Sequence, residues 1–243
     1  MNETLRLLER HRSIRKYRSE PIPRDRLEAA MRAAQRASTS SNVQAYSIIR
    51  VTDRARREAL VELTGGQPMV AAAAEFLIIC GDQRRHRLAC AMHDEEYEAQ
   101  LEAFLLAVVD ASLFAQNLAV AFESMGYGMC YVGGLRNDLR RVHELFEFPD
   151  GVLPLYGFCV GVPDSRPTVK PRLPLEAILF EDDYPTDDKM RSLIESYDEE
   201  LATHYSARDG KRRIWSRLMA TMFSSPRRGY LGAFYRSLGA SME

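Results

Sequence analysis

The feature that most limits how this chain can fold is the apolar run at residues 103–122, which carries one charge, Asp110, and two amides, Gln116 and Asn117. A run of that length would just cross a bilayer, yet a carboxylate and two amides in lipid would each need a partner. The run is expected to be a helix buried on most sides, either central to a domain or within a dimer interface. With 243 residues, 46% of them apolar, the chain is long enough for one sizeable domain or a domain with an appendage.

Around that helix the periodicity predicts short elements. Leu27, Ala30, Met31 and Ala34 recur at helical spacing after Pro21 and Pro23, and the serine-rich stretch at 38–42 breaks the pattern. Strands are expected at 47–51 and 76–80, with a helix at 55–63 between them that stops at Gly65 and Gly66. Gly126 and Gly128 end the long helix. A brief strand at 129–132 then leads into Gly133 and Gly134, and a helical stretch follows from 137 to 146. Strand, double glycine and helix in that order suit a close backbone approach to a ligand. Residues 155–162 read as another buried strand, followed by a proline-rich loop carrying Lys170 and Arg172. From Thr186 onward polar helices, at 187–205 and 213–223, alternate with charged loops. This segment reads as an arm that packs onto something else, such as a partner subunit.

Lys and Arg total 33 against 34 Asp and Glu, a net charge of −1, so the chain as a whole suggests neither nucleic acid nor an anionic membrane as partner. The last 40 residues differ, with eight cations against two acids, a local +6. Four cysteines (Cys80, Cys90, Cys130, Cys159) show no CxxC or Cys/His spacing, so no metal is expected, and they read as buried thiols of a reducing compartment. The N-terminal residues lack the long apolar stretch of a signal peptide, which points to the cytoplasm.

Residues 11–18 concentrate Arg12, Arg15, Lys16 and Arg18 with His11 and Ser13. The Arg fork and the Ser hydroxyl suit a phosphate, although such a run can equally be a solvated helix face. No GxGxxG or GxxxxGK[ST] accompanies it, which argues against a Rossmann fingerprint and a nucleotide triphosphatase. No GxSxG or HExxH exists either, and His86 and His93 fall in a charged stretch expected to be exposed, so a serine or metal hydrolase is disfavoured.

Five segments occur in order: HRSIR at 11–15, the serine-rich loop at 38–44, TGGQ at 64–67, YVGGLRN at 131–137 and KPRLP at 170–174. Through them the whole chain resembles the NADPH-preferring, oxygen-insensitive nitroreductases and the sister flavin reductases. The resemblance implies an α+β nitroreductase-like fold with a central mixed, mostly antiparallel sheet flanked by helices. It also implies a domain-swapped homodimer with wrapping C-terminal arms, residues 1–185 forming the FMN-binding core and 186–243 the arm with a basic NADPH-binding loop.

Residue by residue, it implies FMN contacts from His11, Arg12, Ser13, Arg15, Lys170 and Arg172 on the phosphate, ribityl chain and pyrimidine edge. Thr39, Ser40 and Gln67 would contact the ring polar groups, with Tyr131, Val132, Gly133 and Gly134 along the ring system. Arg208, Arg212 and Arg213 would take the 2′-phosphate of NADPH. Asn42 and Arg228 would face the electron acceptor. This chain departs from the family at Asn42, where relatives carry an apolar or aromatic residue, in a loop one residue shorter before Arg212, and at 89–100, which has no clear counterpart.

No side chain is expected to act as acid or base, because the flavin N5 carries the chemistry, with Arg15 and Lys170 as electrostatic support. The expected function is a flavoprotein oxidoreductase that reduces nitroaromatics, quinones or related small molecules with NADPH by ping-pong kinetics. One alternative is a flavin reductase that supplies reduced FMN to a partner. Another is a flavin-binding protein without turnover.

Overall fold

In the computed structural model, which describes residues 1–241 and 243, helix α1 (Glu3–Glu9) and helix α2 (Arg24–Ala34) precede strand β1 (Tyr46–Arg50). Helix α3 (Arg54–Leu63), the single turn α4 (Met69–Ala72), strand β2 (Glu75–Asp82) and helix α5 (Arg84–Ala91) follow. The long helix α6 (Leu101–Ser124) leads to strand β3 (Gly128–Val132), a 3₁₀ turn (Gly133–Asn137), helix α7 (Leu139–Phe146) and strand β4 (Val152–Gly161). The chain ends with helices α8 (Asp187–Asp209), α9 (Trp215–Phe223) and α10 (Leu231–Ser237).

The strands form one sheet in the order β1-β2-β4-β3, and every pairing is antiparallel, so the described strands show none of the parallel component of a mixed sheet. All eight residues of β2 are buried, as a central strand covered on both faces must be. The register slips at Ile79/Cys80, a bulge that re-aims the end of β2. Helix α6 lies close against this strand: a Cβ at Gly81 would meet the Ala107 methyl at 2.9 Å, so the glycine sets the helix-to-sheet distance. Ala107, Ala111, Phe114, Leu118 and Phe122 recur at helical spacing on the buried side of α6. Its opposite side exposes Leu101, Leu105, Val109 and Leu113. Thus the run central to the sequence reading packs against the sheet on one side and leaves an apolar stripe on the other. It is the one described helix long and apolar enough to cross a membrane.

The chain divides into two compact units, Met1–Pro167 with Arg228–Glu243, and Thr168–Arg227. The first holds the sheet and the main core. The last helix, read from the sequence as part of the arm, belongs to this core: Phe234 and Tyr235 are buried, and Tyr235 Oη donates to Pro154 O at 2.9 Å. Two large aromatics in one helical turn outweigh the charge of the surrounding segment. The second unit has its own small cluster, Tyr197, Leu201 and Tyr205 on α8, against Leu173 and Trp215. Asp198 accepts from Ser216 N at 2.9 Å and ties α9 to α8.

Two local expectations are corrected. Residues 84–91 form a helix, and His86 is half-buried because its ring donates from Nε2 to Val43 O at 2.7 Å; His93 is exposed. Helix α7 starts at Leu139, with Asp138 as cap accepting from Arg141 N, and the two glycines lie in the preceding 3₁₀ turn. Cys80, Cys130 and Cys159 are buried, and Cys90 is only partly so. Burial pushes the Cys80 and Cys159 thiols up, which keeps them protonated and unreactive.

Candidate functional site

The cationic segment at 11–18 is not a solvated helix face. Helix α1 ends at Glu9, and the following residues run extended along β3 and the end of β4, with Ile14 N donating to Met129 O at 2.8 Å and Arg18 N to Val162 O at 2.9 Å. Ile14, 2% exposed, is the anchor: Gly128 lacks a Cβ where one would overlap the Ile14 side chain. Tyr17 Oη donates to Ile14 O at 2.7 Å, and burial raises its pKa so that it remains a donor.

With the backbone fixed, the polar side chains diverge in their partners. His11 Nδ1 donates to Glu123 Oε1 at the end of α6, 2.8 Å away. Among the described residues Arg12 donates to carbonyls alone, Arg10 O at 2.8 Å and Pro167 O at 3.3 Å. Arg15 is exposed and has no ion pair or hydrogen bond among the described residues. Ser13 is half-buried. A cleft of about 470 Å³ opens here, its lining including Arg12, Arg10, Arg166 and Glu123.

Strand β3 carries this segment toward one end and the glycine turn at the other. Met129 and Gly133 are four extended residues apart, about 13 Å at 3.3 Å per residue. At that far end Tyr131 Oη donates to Gln116 Oε1 at 3.2 Å, and its ring lies edge-on to Tyr156 and Phe158. Burial and the neighbouring Tyr156 keep Tyr131 protonated. Val132 is buried. Gly133 borders a second cleft of about 340 Å³, with Ser112, Gln116, Tyr131, Arg136 and Tyr156. A Cβ at Gly133 would project into space, touching only Arg136 Nη2 at 3.4 Å, whereas one at Gly134 would strike Thr64 O and Gln67 Nε2. The first glycine therefore leaves a backbone face open to a flat ligand. The second lets the turn pack against the 64–67 turn. Gln67 and Gly134 are brought together, and Gln67 Nε2 donates to Thr64 O at 2.7 Å.

Arg228 joins the same turn cluster: its Nη2 and Nε donate to Asn137 Oδ1 at 2.8 and 3.2 Å, from a residue with φ of 55°. Sequence reasoning did not single out Arg136, whose Nη1 donates to Leu155 O at 2.6 Å beside Gly133. Nothing in its motif context separates it from a solvated arginine.

Thr39 and Ser40 open a loop with unusual backbone. Ser41, Asn42 and Gln44 have φ of 45°, 59° and 49°, three left-handed non-glycine residues within four positions. Such strain persists where surrounding groups over-determine it. Here Asp110 Oδ2 accepts from Ala45 N at 3.0 Å, Arg85 Nη2 donates to Gln44 O at 2.9 Å, and His86 holds Val43 O. The buried carboxylate at the middle of α6 thus anchors the base of the loop, while Asn42 is exposed and accepts from Gln44 Nε2 at 3.3 Å.

In the second unit the sequence-assigned cations gather differently. Lys170 Nζ lies 5.9 Å from the ring centre of Tyr205, and the guanidinium carbons of Arg208 and Arg213 lie 4.5 and 4.6 Å from it. Arg208 Nη2 and Arg213 Nη2 both donate to Asp209 Oδ2, at 2.9 and 3.2 Å, and Arg212 Nη2 donates to Glu199 Oε1 at 2.8 Å. The Arg208 hydrogen bond holds the Asp209 carboxyl below the usual range. Arg172 Nη1 donates to Lys170 O at 3.2 Å. The sequence motifs carried no sign of either carboxylate.

The residues fit a phosphorylated, flat cofactor: Arg12 and Arg15, with no acidic partner among the described residues, stand at one end of β3 and an open glycine face at the other. Among the described residues no group of three or more His, Cys, Asp and Glu could hold a metal ion.

Comparison with known proteins covers nearly the entire chain. The Nitroreductase family model matches residues 8–162, and the Nitroreductase family C-terminal domain matches 170–243. An oxygen-insensitive NADPH nitroreductase of Salmonella typhimurium is 47% identical over 222 residues, 89% of each chain. An FMN reductase (NADPH) of Bacillus subtilis is 38% identical over 98% of each. The solved structure of the NADPH:FMN oxidoreductase from Vibrio harveyi complexed with NAD⁺ superposes with a TM-score of 0.91 at 35% identity, covering 100% of both chains. The chain belongs to the nitroreductase family.

Proposed function

We propose that this protein is an FMN-dependent oxidoreductase that uses NADPH to reduce nitroaromatics, quinones or related small acceptors. The observation that carries this reading is the layout of β3, with Arg12 and Arg15 free of acidic partners among the described residues toward one end and the open face of Gly133 at the other. When bound, FMN supplies two-electron redox chemistry that no protein side chain offers.

The chain's own residues bind and orient. His11, Arg12 and Ser13 hold the phosphate, with Lys170 and Arg172 assigned to the same group by the family resemblance. Gln67, Thr39 and Ser40 supply ring-directed polar groups, and Tyr131 to Gly134 provide the surface. Arg15 and Lys170 place positive charge where reduction accumulates negative charge. Arg208, Arg212 and Arg213 take the 2′-phosphate of NADPH, and Asn42 and Arg228 border the acceptor. In this division of labour residues 1–185 carry FMN, and 186–243 carry the NADPH loop. Donor and acceptor use one face in turn, which gives ping-pong kinetics.

The protein works as a homodimer in the cytoplasm. The stripe of Leu101, Leu105, Val109 and Leu113, 38–51% exposed on α6, is the surface a second copy would cover. Leu218, Met222 and Phe223 give α9 a similar apolar face for a partner.

A second reading, a flavin reductase releasing reduced FMN, is favoured by the likeness to the B. subtilis FMN reductase over 98% of its length. Steady-state assays decide. Purified protein loaded with FMN should oxidise NADPH and give parallel double-reciprocal lines with a nitroaromatic or a quinone. A higher kcat/KM with free FMN than with any nitroaromatic would select the flavin reductase. Failure to retain FMN or to oxidise NADPH would overturn both.

A further inference from the structure

The three arginines assigned to the 2′-phosphate already have anionic partners, and two of them share one. Asp209 Oδ2 accepts from both Arg208 and Arg213, and Asp209 Oδ1 accepts from Lys211 N at 3.2 Å. The two guanidiniums flank the buried Tyr205 ring, so their donors are held toward a common point. A carboxylate oxygen occupies that point, as an oxygen of a phosphate would.

Asp209 is held in place. Its backbone closes the last turn of α8, with Gly210 as left-handed cap at φ of 69° and Gly210 N donating to Ser206 O. Only 29% of its side chain is exposed, and the arginines show 33% and 39%. The carboxylate also sits at a helix C-terminus, where backbone carbonyls add negative partial charge.

We infer that Asp209 is a specificity-determining residue, a built-in anion that competes with the nucleotide 2′-phosphate for Arg208 and Arg213 and so narrows the preference for NADPH over NADH. This rests on the assignment of the 208–213 loop to NADPH. A phosphate dianion entering the pair must displace the carboxylate or bear its repulsion, whereas the ribose hydroxyl of NADH meets neither cost. Arg213, four residues beyond Asp209, turns back over the Gly210 cap to reach the acid that ends α8.

The test is direct binding to the full-length, FMN-loaded protein, with adenosine 2′,5′-bisphosphate and adenosine 5′-monophosphate as probes, by calorimetry. In Asp209→Asn, which keeps the shape and removes the charge, the bisphosphate is expected to bind about fivefold more tightly, the scale of a partly exposed ion pair. Monophosphate affinity and the visible flavin spectrum stay unchanged. The KM for NADPH falls in parallel, with the KM for NADH constant. Unchanged or weaker bisphosphate binding overturns the inference. The double variant Arg208→Ala, Arg213→Ala separates the two levels. If it leaves bisphosphate binding intact, the loop assignment itself fails. If it weakens binding while Asp209→Asn does not tighten it, only the role of Asp209 fails.

Discussion

The chain has two arginine-rich stretches, at 11–18 and at 208–213, and the fold treats them in opposite ways. In the first, the backbone is locked into the sheet through Ile14, while Arg12 reaches only carbonyls and Arg15 no acid among the described residues. In the second, each of Arg208, Arg212 and Arg213 is matched to a carboxylate within about one helical turn or across α8. Positive charge counted along a sequence is therefore not positive charge offered to a ligand. The +6 counted over the last 40 residues starts at His204 and so omits Glu199, which neutralises Arg212. A fixed backbone with unpaired cations binds an anion without rearrangement. Cations already paired must exchange one anion for another, which weakens binding and makes it tunable.

The sharpest way to break this comparison is to remove what fixes the first stretch. Ile14→Ala deletes a side chain that is 2% exposed and packed on Gly128, a truncation that costs about 2–5 kcal/mol in a core that does not collapse around it. Urea denaturation monitored by circular dichroism should show that loss. FMN affinity should fall as well, because the donors beside Ile14 lose their anchorage. If stability drops and FMN affinity holds, the segment binds through side chains alone and its docking onto β3 is irrelevant to the ligand.

Arg12→Ala asks the complementary question. Its carbonyl partners are exposed, so folding stability should barely change. The loss of a charge-assisted contact should weaken FMN binding by about 1.5–3 kcal/mol, read from flavin fluorescence as FMN is titrated into apoprotein. An unchanged affinity would remove the first stretch from the cofactor site.

The two stretches also differ in how much of them the sequence disclosed. The residues at 11–18 sit beside each other in the chain, and so does the glycine pair at 133 and 134. Local composition was enough to mark them. The apolar length of α6 likewise marked a buried helix, but not which side faces the sheet: apolar residues occur all round it, and only the fold separates Ala107, Ala111, Phe114 and Leu118 from the exposed Leu101, Leu105, Val109 and Leu113. What stayed hidden depends on contacts between distant residues. Asp110 supports Ala45 across 65 positions, and His86 holds Val43, so neither could be told from an ordinary charged residue. The left-handed geometry of Ser41, Asn42 and Gln44 is imposed by those tethers rather than by glycine, which would have announced it. Helix α10 is hidden for a related reason: its place after the charged loops groups it with the arm, whereas the burial of Phe234 and Tyr235 and the reach of Tyr235 to Pro154 make it part of the core.

A smaller effect tests the second stretch. Arg212 and Glu199 are 60% and 71% exposed, and pairs in that setting contribute about 0–1 kcal/mol. Arg212→Ala should therefore leave the thermal midpoint nearly unmoved and raise the KM for NADPH modestly, with the KM for NADH constant. A large fall in the midpoint would mean that the pair holds the arm together, and the contrast between a structural and an exchangeable set of cations would fail.

The smallest effect is a flat one, and its sign follows from Asp209. Arg208 lowers the pKa of this carboxyl below its ordinary value, with Lys211 N and Arg213 acting in the same direction. A depressed carboxyl contributes its pairing fully above the unfolded-state pKa and loses it only as pH falls through the lower, folded value. Between pH 5 and 8 it therefore stays ionised, and the competition it offers to a phosphate does not vary. The 2′-phosphate of the free nucleotide passes from dianion to monoanion as pH falls through about 6, so the NADPH to NADH KM ratio should change around that point alone. In Asp209→Asn the profile should keep the same shape and shift as a whole. A second inflection present in the parent and absent from Asp209→Asn would place the titration of Asp209 inside the working range. Arg208 and Arg213 would then not hold it as a resident anion, and the second stretch would behave like the first.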